Sequence, residues 1–399
     1  MRLAAQAGLL WIALSSMVGQ AAPTTFLMDG AQLAETKRRI QAGDPVLQPA
    51  FTNLLAAADA AMTNGPFTVV NKTLTPASGD KHDYLSFGRY WWPDPDQPEG
   101  LPYIRRDGET NPDSQGAASD RPRVERMTRG VEALALSYYL TGETRYAERA
   151  GRLLRTWFLD PTTRMNPNLN HAQAIPGRES GRKSGLIDAR LLCQALDGLA
   201  LLKGSAALRD DEHAAMREWF KAYLKWLKTN KLARAESDTT NNHGTFFDVQ
   251  IMHVALYVGD TAYARSVAEA AIEKRLLAHI QSDGTQPEEL ARTRTLHYSL
   301  FNLEGFFALA CLAEHTGVDL WRAGDSRLRA ALDYVAPYAD PAVPWPHPTI
   351  READRTRLVP LLLYAASVYD HAPYREAAAG LPAEETQAGL DQLVLWLMR

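Results

Sequence analysis

The sequence predicts an all-α protein: an α/α toroid, or incomplete α/α barrel, of about six or seven helical hairpins. Three observations carry this. Apolar residues recur at three- and four-residue spacing over long segments. Alternating strand patterns are nearly missing. A Gly-centred turn between two helices also recurs along the chain. YYLTGETRYAERA, from Tyr138, and LYVGDTAYARSVA, from Leu256, both end a helix, pass through Gly, an acidic residue and Thr, and open the next helix around Tyr-Ala. Gly suits the left-handed position after a helix, and an acidic residue suits the next N-terminus. Related turns lie near Gly204, Gly317 and His371, and from Gly142 the steps are 62, 55, 58 and 54 residues. Tetratricopeptide units are shorter and keep both connections short, so one long connection per unit fits hairpins set around a centre.

In chain order, the first 21 residues predict an export signal. Arg2 is the positive start, LLWIAL from Leu9 to Leu14 opens an apolar stretch, and Gly19, Gln20 and Ala21 form a small-residue cleavage site. The apolar run is short for a membrane span. The mature chain, 22–399, is then expected to be one soluble domain without a membrane segment, periplasmic or secreted and monomeric. Helices are predicted over Arg123–Leu140, Arg145–Phe158, Leu186–Leu202, Asp211–Lys228 and Ala262–His279. Cys193 and Cys311 sit in apolar helical contexts and predict two buried free thiols. With 46% hydrophobic and 23% charged residues, the chain is neither disordered, nor fibrous, nor a multi-pass membrane protein. The balance of 43 Lys and Arg against 47 Asp and Glu speaks against nucleic acid as the partner. A local Arg cluster can still oppose that global sign.

In antiparallel hairpins the tight turns gather at one end and the long connections at the other. The long segments, 81–122, 159–185, 230–242, 281–293 and 339–354, hold nearly every unusual polar or aromatic cluster, so that end is the expected site. The Pro-rich loop 81–122 carries Tyr84, Tyr90, Trp91 and Trp92 beside Arg89, Arg105 and Arg106. These either bind sugar faces and carboxylates or simply pack the loop. RMNPNLNHAQAIPG, from Arg164, offers Asn168, His171 and Gln173 as lining groups, with turn and cap chemistry as the alternative. In DTTNNHGTFFDVQ, from Asp238, Asn242 and His243 enter a helix, where unpaired N–H groups favour an anion. They are otherwise a helix cap and a satisfied histidine. In QPEELARTRTLHYSL, from Gln286, Arg294 and Tyr298 share a face, and a nearby Arg can favour an ionised phenol. A core Tyr with solvated Arg neighbours is the other reading. No HExxH pair, Cys–His ligand spacing, phosphate loop or nucleophile elbow occurs, so no metal or cofactor is expected.

Taken together, DYLSFGRYWWPDP, LPYIRRDGETNP, TWFLDPTTRMNPNLNHAQAIPG, NNHGTFFDVQ and EELARTRTLHY resemble the alginate-lyase superfamily of α/α-toroid polysaccharide lyases. The resemblance runs from about Asp83 to about Asn302 and is closer to polysaccharide lyase family 38 than to family 5. It implies that Asn242, His243 and Arg292 neutralise a uronate carboxylate and that Tyr298 transfers protons, with Arg294 competing for the Arg role. The implied reaction is metal-independent syn β-elimination on β-1,4-linked mannuronate or glucuronate, leaving a C4=C5 double bond. Two other readings stand beside it. One is an α/α-toroid hydrolase using Asp238 and Asp248. The other is a glycan-binding protein using the Tyr/Trp loop.

Overall fold

Helix α1 (Gly30–Gln41) opens on Asp29, whose carboxylate accepts the N–H groups of Ala31 and Gln32. It forms a first hairpin with α2 (Gln48–Thr63). The computed structural model describes residues 22–381, so the proposed signal 1–21 lies outside the described residues. Five further hairpins follow among the described residues. They are α3 (Arg121–Thr141) with α4 (Thr144–Leu154), and α5 (Leu192–Leu201) with α6 (Asp210–Thr229). The short helix α7 (Lys231–Ser237) precedes α8 (Asn242–Val258) with α9 (Thr261–Ala271). After the single turn α10 (Pro287–Leu290) come α11 (Thr295–Glu314) with α12 (Ala323–Val335), then α13 (Leu358–Val368) with α14 (Ala372–Ala379).

The tight turns lie where the repeat places them. Gly142 and Gly259 end their helices at φ +78° and +88°, a conformation that disfavours any residue with a Cβ. At the last turn Asp370, at φ +47°, takes the left-handed position instead of a glycine. Neighbouring inner helices pack in the order α3, α5, α8, α11, α13, while α4, α9, α12 and α14 lie outside on their hairpin partners. This is the α/α toroid that the sequence predicts. Each inner helix follows a long connection and precedes a tight turn, so all five N-termini point to the loop end. Aligned helix dipoles make that end favourable for an anion.

Two expectations need correction. The segment 231–237 is helix α7 rather than loop, because Asn230 caps it by accepting the Leu232 N–H at 2.8 Å. The helix expected from Leu186 begins as a 3-10 stretch, Lys183–Leu191, and turns α-helical only at Leu192. The long loops are also more ordered than irregular connections. β1 (Leu85–Phe87) pairs in parallel with β4 (His171–Ala174), joining the first two loops, and β2 (Trp91–Trp92) pairs antiparallel with β3 (Ile104–Arg105).

The turn end of the ring is closed by the stretch before α1. The Asp197 carboxylate accepts the N–H groups of Phe26, Leu27 and Met28 at 2.8–2.9 Å, and the Phe26 ring meets His253, Tyr257 and His315 edge-on. A cavity of about 1030 Å³ fills the ring interior, lined among others by Met28, Glu132, Arg190 and Glu304. Cys193 and Cys311 are buried free thiols, and burial pushes each up to about 12.

Candidate active site

The side chains singled out at the start of α8 and α11 sit on the loop-end rim of the ring, outside the interior cavity. Asn241 is the N-cap of α8, and its side-chain oxygen accepts the His243 N–H at 3.1 Å. Asn242 and His243 thus occupy the first turn, with geometry fixed by the backbone. The following Gly244 has a packing reason. A Cβ there would lie 2.2 Å from the Thr239 carbonyl oxygen and 2.7 Å from the Arg275 guanidinium.

Arg275 is the clasp of this corner. It is fully buried, donates to both Asp248 oxygens at 2.8 and 3.0 Å, and donates to the carbonyls of Ser237 and Thr239 at 2.7 and 2.9 Å. It therefore fixes the turn between α7 and α8. At the end of α7, Glu236 is 1% exposed and places Oε1 2.6 Å from His243 Nδ1. A carboxylate can only accept, so Nδ1 carries a hydrogen and Nε2 is the nitrogen left for a ligand. Removing that orientation is expected to cost activity. Glu236→Gln should lower kcat by about 10²-fold through misplacement of the ring, shift the pH–rate profile and leave KM nearly unchanged. Steady-state kinetics across pH checks this, and an unaltered kcat and profile would refute it.

Asn242 faces the other way. Its backbone N–H and side-chain amide donate to the two Glu289 oxygens at 2.7 and 2.8 Å. The anion that α8 invites is thus already partly supplied from within the chain by α10. Burial raises the Glu289 carboxyl, and the Asn242 donors pull against it. Just past α10, Arg292 donates to both Asp107 oxygens at 3.1 and 2.7 Å, and its guanidinium lies 3.7 Å from the Tyr298 ring centroid. Burial works to raise the Asp107 carboxyl, but Arg292 and Arg105 hold it well below the usual carboxylate range.

Tyr298 emerges one turn into α11, its hydroxyl 2.6 Å from that of Tyr90. Of the two readings of this phenol, the acidic one is not what the site builds. Burial dominates and, with Tyr90, pushes Tyr298 well above the ordinary value of 10, while Arg292 acts on the ring face and only partly offsets it. The phenol is therefore protonated at rest.

The remaining candidates divide. Trp91 lies between Arg178 and Arg182, 5.3 and 5.8 Å from its ring centroid, and Trp92 lies under Arg106 at 5.3 Å. Arg105 is exposed and pairs with Asp107 at 2.7 Å. His171 is half-buried, with Nε2 3.8 Å from Asp83. Arg294 is the N-cap residue of α11. Three others belong to the scaffold. Tyr84, expected in the cleft, is 1% exposed with its hydroxyl on Asp188, held in the core just before β1. Asn168 donates to Asp83 and accepts the Asn170 N–H, the turn chemistry that competed with a lining role. Gln173 is buried with its amide between Asp188 and Arg182. The carboxylates of the hydrolase reading do not pair: Asp238 is 77% exposed beside Lys274, while both Asp248 oxygens are held by Arg275.

The comparisons with known proteins concern the family and the fold. The sequence profile described as alginate lyase matches residues 68–345. An alginate lyase crystal structure from Bacteroides ovatus is 36% identical, with 94% of this chain and 99% of that one covered, at a TM-score of 0.88. The chain belongs to the alginate lyase family. It is a polysaccharide lyase. A variant of alginate lyase A1-III complexed with a tetrasaccharide matches at 14% identity over 93% of this chain and 95% of that one, with a TM-score of 0.53, a likeness of fold. A search of curated protein sequences finds no match.

Reasoning from sequence missed three residues that hold this rim, Glu236, Asp107 and Arg275, and the direct contact of Tyr90 with Tyr298. Only Gly244 left a signal. A glycine in the first turn of a strong helix marks a close approach, here by Arg275.

Proposed function

We propose that the protein is an exported, monomeric lyase that cleaves β-1,4-linked uronans, mannuronate in alginate foremost, by metal-independent syn β-elimination. The observation that carries this reading is the Tyr298 hydroxyl held against Tyr90 under Arg292, on the same rim as the Asn242–His243 turn. The relatives named as alginate lyases favour mannuronate over glucuronate. The charged signal-like start of the chain supports export.

The chemistry follows from the residue types. The C5 hydrogen of a uronate is weakly acidic, and its removal builds negative charge on the adjoining carboxylate. The second hydrogen of the Asn242 amide, the free edge of Arg292 and, in its doubly protonated form, the His243 ring through Nε2 are the donors assigned to that charge, each worth roughly 3 kcal/mol in the transition state. In mannuronate and glucuronate the C5 hydrogen and the C4 oxygen lie on one side, so one hydroxyl can serve both. Because the phenol starts protonated, Tyr298 passes its hydrogen to O4 as its oxygen receives the C5 hydrogen. The C5–H and C4–O4 bonds break, the C4=C5 bond forms, and the phenol is regenerated. Tyr90 shares a hydrogen bond with the oxygen throughout the exchange.

The test is ultraviolet absorbance during incubation with polymannuronate, polyguluronate and glucuronan in a chelator. A rise with polymannuronate exceeding that with polyguluronate is expected, since guluronate sets the two groups on opposite sides. A preference for polyguluronate, or activity only after metal is restored, would overturn the syn, metal-independent reading.

A further inference from the structure

Two guanidiniums that act on His297, the residue before Tyr298, lack a counter-ion. Among the described residues Arg89 and Arg294 take part in no ion pair, and the Nε of each is buried without a hydrogen-bond partner. Their neighbours differ. Arg292 and Arg105 share Asp107, and Arg357 grips Glu304 with two bonds of 2.7 and 2.8 Å. A buried donor left unpaired carries its full desolvation penalty, so such a pair at a cleft marks a place that a ligand completes.

The backbone places both beside Tyr298. Arg89 directly precedes Tyr90, whose hydroxyl touches that of Tyr298. Arg294 lies one turn before Tyr298 and accepts its N–H at 3.0 Å. Arg294 also bridges Thr349, and its Cδ lies 3.4 Å from where a Cβ on Gly108 would stand, at φ +80°. It is thus set between the loops 81–122 and 339–354. His297 lies next to this pair. Its Nδ1 is 2.9 Å from Arg357 Nη1, and since Arg only donates, that nitrogen holds a lone pair and the ring is neutral. Burial, then Arg357, Arg294, Arg89 and Arg292, push this histidine down to about 3. Four guanidiniums therefore act on one uncharged ring, with Asp107 and Glu304 answering only two of them.

We infer that Arg89 and Arg294 form a second carboxylate site, which holds the carboxylate of the uronate adjoining the one that reacts. This rests on the uronan-lyase reading. A polymer with a carboxylate on every ring presents a second anion whenever the first is at Asn242, His243 and Arg292. The site would let the enzyme read two consecutive acidic sugars rather than one.

The test is steady-state kinetics of Arg89→Gln, Arg294→Gln and Arg89→Lys on polymannuronate, and on polymannuronate with part of its carboxylates converted to neutral amides. Each Gln variant should raise KM about tenfold or more, hold kcat within about threefold, and weaken the salt dependence of kcat/KM. Arg89→Lys, which keeps the charge, should recover part of the affinity. On the amidated polymer the wild type should lose affinity and the Gln variants should lose little more. An unchanged KM in both Gln variants, or a loss confined to kcat, would overturn the inference, the latter by placing these arginines at the reacting carboxylate. Failure of the lyase reading itself would look different, because the wild type would then yield no unsaturated product.

Discussion

Tyr298→Phe is expected to lower kcat on polymannuronate at least a thousandfold, about 4 kcal/mol in barrier, while KM stays within a few-fold. The substitution isolates the hydroxyl. Phenylalanine keeps the ring beneath Arg292 and the edge contact with His297, and removes only the oxygen that meets Tyr90. The aromatic loop and the arginines around it are untouched, so binding should persist as catalysis disappears. Activity near the wild-type rate would mean that another group takes the C5 hydrogen, and the role assigned to Tyr298 would fall.

Arg275→Met should be the most damaging single change to stability, at about 3–5 kcal/mol. Its guanidinium is fully buried and answers a carboxylate and two carbonyls. Methionine fills much of the volume but leaves Asp248 charged and unpaired in the core, and frees the turn that carries Asn242 and His243. Urea denaturation followed by circular dichroism measures the loss. A change below about 1 kcal/mol would show that Asp248 and the turn are held by other contacts. Because the clasp serves the site, residual folded protein should also turn over slowly.

The hairpin ring was legible because its signals are local. Helical periodicity and the Gly142 and Gly259 turns each lie within a dozen residues, and one long loop per hairpin follows from their spacing. The rim residues Asn242, His243, Arg292 and Tyr298 were legible through resemblance and through their place at helix starts. What escaped were the groups that act across the chain. Asp107 reaches Arg292 from 185 positions away and Tyr90 reaches Tyr298 from 208, and no periodicity relates such pairs. Glu236 is close in sequence to His243, yet the turn between two helices hides the relation. Tyr84 was misread for the opposite reason. An aromatic in a loop full of aromatics looks like a sugar platform, but its hydroxyl turns inward to the buried Asp188. Of the two readings of Tyr298, sequence could not choose the buried, protonated one, because burial, which sequence does not display, outweighs the neighbouring Arg.

The most direct test of the central claim is mass spectrometry of the products formed from polymannuronate in heavy-oxygen water. Elimination breaks the C4–O4 bond without adding water, so unsaturated oligosaccharides free of solvent oxygen at the cleaved bond are predicted. Saturated products carrying the heavy oxygen at the new reducing end would mean hydrolysis, and would contradict the account at its centre.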